Sequence, residues 1–139
     1  MNTKNVVTLA VVVLLSGCAK LMPYLPSTTV ADPHGQIEKI IMSNTGMGVT
    51  HVEFKPGYFT VASLSAYGAF QQSLRYELVR KIDILKTGGV HRVIVSDPEG
   101  NEIFIWGVTS VEDAYALADA IASEVATTPA PATAKQAAR

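Results

Sequence analysis

The apolar residues between positions 109 and 126 recur every three or four residues. This spacing predicts an amphipathic helix, because such positions share one helical face; they are Val111, Ala114, Tyr115, Ala118, Ile121, Ala122 and Val125. Thr109 and Ser110 are candidate N-caps, since each precedes an acidic residue by the three positions of a capping box. We expect the helix to pack its apolar face on a sheet and to present an acidic face, which includes Asp119 and Glu124, to solvent.

Alternating apolar and polar residues, the pattern of half-buried strands, precede this helix. Residues 49–55 and 58–64 flank Pro56-Gly57, which suits the two central positions of a type II turn. Residues 90–96 and 102–108 flank turn-forming residues and predict a second hairpin. Because the segment 102–108 is apolar at both alternating sets of positions, we expect a central strand covered on both faces.

The remaining segments are less regular. Residues 65–72 lack alternation and predict an irregular connection, whereas residues 74–85 predict one long strand that bends or bulges at Arg80. A short N-terminal helix is predicted to begin at Asp32-Pro33, an N-cap followed by proline at the first helical position, although Ile40-Ile41 within it would also suit a strand. These elements predict an α+β domain with about five strands in an antiparallel sheet or split barrel and an amphipathic C-terminal helix.

The order of elements over residues 76–125 resembles that of pleckstrin-homology-like split barrels. In that family a C-terminal helix closes one open end of the barrel. The resemblance implies a barrel, and a curved antiparallel sheet with helices on one face is the alternative.

The first 18 residues form a recognisable export pattern. Lys4 precedes a run from Val6 to Leu15 that is apolar apart from Thr8. This run is too short to span a bilayer, which takes about 20 residues of helix, and it has the length of a signal-peptide core. The residues at the end of this run, Leu15-Ser16-Gly17-Cys18, resemble the lipobox of bacterial lipoproteins. The resemblance implies that residues 1–17 are cleaved and that Cys18, the sole cysteine in the sequence, is acylated and holds the mature protein on a membrane. An ordinary secretory signal followed by a chance cysteine is the alternative.

The mature chain is expected to have three parts. Residues 18–32 contain two prolines and little periodicity and predict a tether. Residues 33–126 form the single α+β domain, and residues 127–139, which lack large apolar side chains, predict a disordered tail. Ala19 stands where, by the lipoprotein resemblance, an aspartate would retain the protein in the inner membrane. The alanine favours the periplasmic face of the outer membrane, with inner-membrane anchoring as the alternative.

Charge and composition narrow the function classes. The 139 residues include 11 basic and 12 acidic ones, for a net charge of −1, so we expect no nucleic-acid partner. His34, His51 and His91 lack the spacing of a metal-binding pair, and there is no second cysteine, so no metal and no cofactor are expected. The sequence contains no Gly-x-Ser-x-Gly motif and no phosphate-binding loop, and we predict a protein that is not an enzyme.

Four basic residues form the candidate partner-binding site: Arg75, Arg80, Lys81 and Arg92. Such a cluster can attract an acidic partner or anionic lipid headgroups. Glu77 and Asp83 are interleaved with it and are expected to neutralise it in part, and an edge strand protected by charge is the alternative interpretation.

The sequence therefore favours a membrane-anchored, non-enzymatic interaction or structural subunit of a bacterial envelope assembly, such as a secretion system. The alternative is a periplasmic carrier that holds lipid or another small ligand between sheet and helix. Alanines at 114, 118 and 122 disfavour the carrier, because they allow close helix–sheet packing with little void.

Overall fold

The computed structural model describes residues 19–43 and 48–129, which form two antiparallel sheets and two helices. The strands are β1 (Ala19–Met22), β2 (Val49–Lys55), β3 (Tyr58–Ser65), β4 (Gly68–Arg75), β5 (Lys81–Thr87), β6 (Val90–Ser96) and β7 (Glu102–Val108). The helices are α1 (Pro33–Ser43) and α2 (Val111–Thr127), and a 3-10 turn covers Tyr76–Leu78. One sheet has the order β1-β5-β6-β7 and the other has the order β2-β3-β4. The predicted α+β class is confirmed, with seven strands in the described residues instead of about five.

The two predicted helices and the two predicted hairpins are all present. The β2–β3 hairpin closes at Pro56-Gly57, where Gly57 has the positive φ of 85° that a type II turn requires at that position. The β6–β7 hairpin closes over residues 97–101. Of the two candidate N-caps, Ser110 begins α2, and its hydroxyl accepts a hydrogen bond from the Asp113 amide at 3.2 Å.

The hydrophobic core lies between the two sheets and α2. Phe59 on β3 and Phe104 on β7 meet edge to face with ring centroids 5.3 Å apart, so the sheets share one core. Trp106 is buried in it. Five residues of α2 are completely buried, namely Ala114, Leu117, Ala118, Ala120 and Ile121. The core therefore includes Leu117, which lies off the apolar face that the sequence periodicity defined.

The acidic face of α2 is partly covered: Glu112 is exposed as expected, whereas the expectation that Asp119 and Glu124 face solvent was wrong. The Tyr24 hydroxyl donates a hydrogen bond to Asp119 Oδ1 at 3.0 Å, and the Ser27 amide donates to the same oxygen at 2.9 Å. Glu124 Oε1 lies 3.0 Å from His34 Nε2 on α1. Both carboxylates thus hold other elements against α2, which also explains why this helix buries more than one face.

Residues 19–30 pack on the domain, where the sequence suggested a tether over 18–32. β1 pairs with β5 from Ala19 opposite Thr87 to Met22 opposite Ile84. The chain then follows α2, with the Tyr24 and Tyr115 rings stacked 6.0 Å apart. The physical reason is that Met22 and Tyr24 pack against the hydrophobic core, while Leu21 and Leu25 stay exposed. The predicted signal peptide, Cys18 and residues 130–139 of the predicted tail lie outside the described residues.

The segment that the sequence divided into an irregular connection and a long strand has a different structure. β4 pairs with β3 over eight residue pairs, from Arg75 opposite Tyr58 to Gly68 opposite Ser65. The predicted long strand is interrupted at Tyr76–Leu78, because the chain there crosses from one sheet to the other. The Arg80 amide then donates to the Ser96 carbonyl at 2.8 Å, which starts the pairing of β5 with β6.

β7 is an edge strand, not the covered central strand that was expected, and Ile105 is 39% exposed. The side chain of Gln72 on β4 completes this edge. Its Nε2 donates to the Ile105 carbonyl at 3.2 Å, and its Oε1 accepts from the Ile105 amide at 3.1 Å. A side-chain amide therefore joins the two sheets on this side of the domain, where no backbone pairing connects them.

The contacts between sheets also fix which turns share an end of the domain. Gln72 lies beside Ile105, and Phe59, which is paired with Leu74, contacts Phe104. Gln72 on β4 thus matches Ile105 on β7, and Leu74 matches the preceding residue, Phe104. Residue numbers rise along β4 as they fall along β7, so the two strands run antiparallel. It follows that the β3–β4 turn lies toward the Val108 end of β7.

Two ends can then be defined. The Ala19 end contains the first residue of β1, the β5–β6 turn, the β3–β4 turn and the start of α2. The Pro56 end contains the β2–β3 turn, the crossing over 75–81 and the last turn of α2, whose Thr128 lines a groove with Pro56.

Candidate interaction surfaces

The structure divides the four predicted basic residues between the two ends. Arg75, Arg80 and Lys81 lie on the crossing at the Pro56 end. Arg92 is paired with Leu85, four residues further along β5 than Lys81. Because a strand rises about 3.3 Å per residue, this separates Arg92 from Lys81 by roughly 13 Å. The four residues therefore do not form one patch.

Acidic neighbours partly neutralise the group at the Pro56 end, as expected. Arg75 forms an ion pair with Glu77, and Lys81 Nζ lies 3.1 Å from Asp83 Oδ2. Within the described residues, Arg80 and Arg92 are exposed and form no ion pair. Exposed pairs of this kind contribute little to stability, so the charges at this end are available for recognition at small structural cost.

Two adjoining grooves lie at the Pro56 end. One has a volume of about 390 Å³ and is lined by Tyr58, Ser73, Arg75 and Glu77 together with the β2–β3 turn. The other has a volume of about 490 Å³ and is lined by residues of α1, β2 and the end of α2, including Phe54 and Glu124. Pro56, Gly57 and Thr128 line both grooves, so apolar, cationic and anionic side chains meet on one concave surface.

A row of basic side chains crosses the other end of the molecule. Lys20 on β1 is paired with Lys86 on β5, which is paired in turn with His91 on β6. Paired residues point to the same side of a sheet. Lys20 and Lys86 are exposed, whereas His91 is 8% exposed and its Nδ1 has no hydrogen-bond partner. Sequence reasoning missed this row because the pairing joins residues that are more than 60 positions apart.

Glu112, in the first turn of α2, lies close enough to His91 at the end of this row to interact with it electrostatically. A hydrogen bond from its own backbone amide, a second from the Ser110 hydroxyl and the proximity of His91 all lower the pKa of Glu112. Glu112 therefore carries a negative charge beside His91 at neutral pH, while Lys20 and Lys86 retain uncompensated positive charge.

The β3–β4 turn at the same end exposes three large apolar side chains. Leu64 is 65% exposed, Tyr67 is fully exposed and Phe70 is 50% exposed. The hairpin that carries them is regularly paired along its whole length. Leu64 is paired with Ala69 and Phe70 with Ser63, so these two side chains lie on opposite faces of the hairpin, on either side of the turn that carries Tyr67. This hairpin was not predictable from sequence, because residues 65–72 do not show the alternation of a strand.

The histidines are dispersed in the structure. His34 stacks on Phe54 with ring centroids 4.3 Å apart, His51 is exposed on β2 and His91 lies on β6. In the described ranges, no three His, Cys, Asp or Glu side chains are grouped so that they could hold a metal ion. Over the same ranges, no helix is long and apolar enough to cross a membrane.

The comparisons with known proteins do not add to this picture. No protein-family model, no curated protein and no solved structure matches the chain.

Proposed function

We propose that the protein is a lipid-anchored, non-enzymatic interaction subunit of a bacterial envelope assembly, held through acylated Cys18 at the periplasmic face of the outer membrane. The observation that carries the proposal is the position of β1. Its first residue, Ala19, directly follows the lipobox-like cysteine and lies at the end of the domain away from Arg75, Arg80 and Lys81. A domain anchored at Cys18 would thus present its Pro56 end to the periplasm.

The Pro56 end has the properties of a protein-binding surface. The adjoining grooves combine aromatic and aliphatic surface with exposed arginine, a residue enriched at protein interfaces. Charged groups around such a surface choose the partner and speed association more than they add affinity. An acidic segment of a neighbouring envelope protein would complement Arg75, Arg80 and Lys81.

Charge reversal at this end tests the proposal. Arg75, Arg80 and Lys81 would be changed together to Glu, and envelope proteins crosslinked to the variant in intact cells would be compared with those of the wild type. We expect partners to be lost while the melting temperature changes little, because these side chains are exposed. Arg92→Glu, an exposed reversal at the other end, is the matched control and should keep the partners.

Two results would contradict the proposal. The same crosslinked partners in wild type and triple variant would remove the Pro56 end from consideration. An unmodified thiol at Cys18 in the mature protein, measured by mass spectrometry, would remove the anchor.

The alternative function is a carrier, and a wild type that yields no partner but retains bound lipid in its interior would favour it. The buried contact of α2 with the sheets, through Ala114, Ala118 and Ile121, leaves little room for such a ligand.

A further inference from the structure

The proposed anchor leaves almost no free chain between membrane and fold. Ala19 is already paired with Thr87, and adjacent Cα atoms are about 3.8 Å apart. Acyl chains attached at Cys18 must lie in the hydrocarbon, and the headgroup layer above it is only about 5–8 Å deep. The start of β1 and the β5–β6 turn beside it would therefore lie at the level of the headgroups.

The rest of the Ala19 end fits a lipid surface. Leu64, Tyr67 and Phe70 are exposed at the β3–β4 turn, and aromatic side chains with a polar tip prefer the membrane interface. A bilayer is broad and flat, so it can contact this turn and the β5–β6 turn at the same time. The β5–β6 turn has no side chains at Gly88-Gly89, where an added Cβ would meet no atom within 4 Å. No side chain at these two positions would therefore prevent a bilayer from approaching the turn.

The charges at this end complement anionic lipids. Lys20 and Lys86 are exposed neighbours on paired strands and share one face of the sheet. Arg92 is paired with Leu85 and therefore points to the other face. Lysine side chains close to an anionic membrane surface are attracted to its headgroups. Glu112 and Asp113, in the first turn of α2, are the acids at this end of the domain, and Glu112 lies beside the partly covered His91 rather than in an ion pair with either lysine.

We infer that the Ala19 end is docked directly on the phospholipid surface, with the β3–β4 turn among the headgroups and Lys20 and Lys86 facing anionic lipid. This inference rests on the proposed acylation of Cys18. It adds to that proposal that the domain has a fixed orientation on the membrane, with its Pro56 end pointing away from the bilayer, rather than moving freely on a flexible tether.

Spin labels on the full lipoprotein test the orientation. Tyr67→Cys and Glu99→Cys place a thiol at the Ala19 end and at the exposed turn at the other end, and each would be labelled after reconstitution into vesicles of phosphatidylethanolamine and phosphatidylglycerol. We expect the label at 67 to collide more with oxygen, which concentrates in lipid, than with a water-soluble nickel complex. The label at 99 should show the opposite preference.

The outcomes separate the inference from the proposal on which it rests. Protein that floats with the vesicles while both labels are equally accessible to nickel would overturn the docking and leave the anchor intact. Protein that does not float would overturn both.

Charge variants give a second measurement. Changing Lys20 and Lys86 to Glu should reduce the immersion of the label at 67 in anionic vesicles. Changing Lys55 and Lys81 to Glu alters the net charge equally, but those two residues lie toward the Pro56 end and are paired with acids, so the label should stay immersed. An equal effect of the two double variants would also overturn the inference, since it would show that only net charge matters.

Discussion

Asp119→Ala should release the N-terminal segment from α2 without unfolding the domain. The Asp119 carboxylate accepts hydrogen bonds from the Tyr24 hydroxyl and the Ser27 amide. Both donors lie in the segment that joins β1 to α1, more than 90 residues away in sequence. Burial of the Tyr24 ring and its hydrogen bond to Asp119 raise the pKa of Tyr24, as expected for a phenol that donates to a carboxylate. The substitution leaves both donors without a protein acceptor.

The expected loss of stability follows from these two bonds. A hydrogen bond to a charged group contributes about 1.5–3 kcal/mol, and water can replace part of each because Asp119 is only half-buried. We therefore expect a net cost of about 1–3 kcal/mol. Alanine is the better helix former by up to about 0.7 kcal/mol, which offsets part of this cost. A domain of this size is stable by about 5–15 kcal/mol, so it should stay folded.

Hydrogen exchange of residues 23–30 and urea unfolding measure the two effects. The Ser27 amide should exchange roughly 10- to 100-fold faster in the variant, since each 1.4 kcal/mol corresponds to a factor of ten. Asp119→Asn keeps an acceptor oxygen and should lose much less protection, and Glu38→Ala removes an exposed acid of α1 as a control. Rapid exchange of the same amides in the wild type, or unchanged exchange in the Asp119→Ala variant, would refute the docking of this segment.

Three further predictions concern the core, the junction of the sheets and the acid range. Ala118→Asp should cost several kcal/mol in a urea titration because it buries an unpaired charge, whereas Ala126→Asp, at an exposed position of the same helix, should cost little. Gln72→Leu should speed exchange of the Ile105 amide, which loses its acceptor, and an unchanged rate would argue against the side-chain bridge. Hydrogen bonds from the Asn101 side chain and from nearby backbone amides lower the pKa of Asp97. The ionised Asp97 therefore contributes fully to folding stability above its unfolded pKa near 4, and this contribution is lost as pH falls through the lower folded pKa. Asp97→Asn should reduce the acid-induced fall in melting temperature.

Local patterns were sufficient to predict the helices and the hairpins with well-defined turns. The apolar periodicity of α2 and its capping serine identify the helix, and Pro56-Gly57 identifies the tightest hairpin. β4 escaped prediction because most of its side chains are exposed, so its sequence does not alternate between apolar and polar residues. β1 has only four residues before Pro23, and its strand character depends on pairing with β5 far along the chain.

The candidate site was predictable as a set of residues but not as a surface. The sequence correctly indicates that Glu77 and Asp83 neutralise basic neighbours. It does not show that the chain crosses between sheets at Tyr76–Leu78, or that the β5–β6 register places Arg92 far from Lys81. Those two features of the topology assign Arg92 to a different end from Arg75 and Arg80. The sequence determines the net charge of a segment, but strand register determines which charged side chains lie together on one surface and can contact the same partner.

The same register argument identifies β1 as the element that decides how far the domain can stand from a membrane. Its four residues are joined to one neighbouring strand only, and each hydrogen bond lost on peeling would cost about 1 kcal/mol. Peeling β1 alone adds roughly 13 Å of reach at about 3.3 Å per residue. Further extension requires the contacts of Tyr24 and Ser27 with Asp119 to break. Release should therefore occur in two steps, and in Asp119→Ala the second step is already weakened. If acylated Cys18 holds the domain against the bilayer, this variant should let the Pro56 end move further from the bilayer while the other six strands and both helices remain folded.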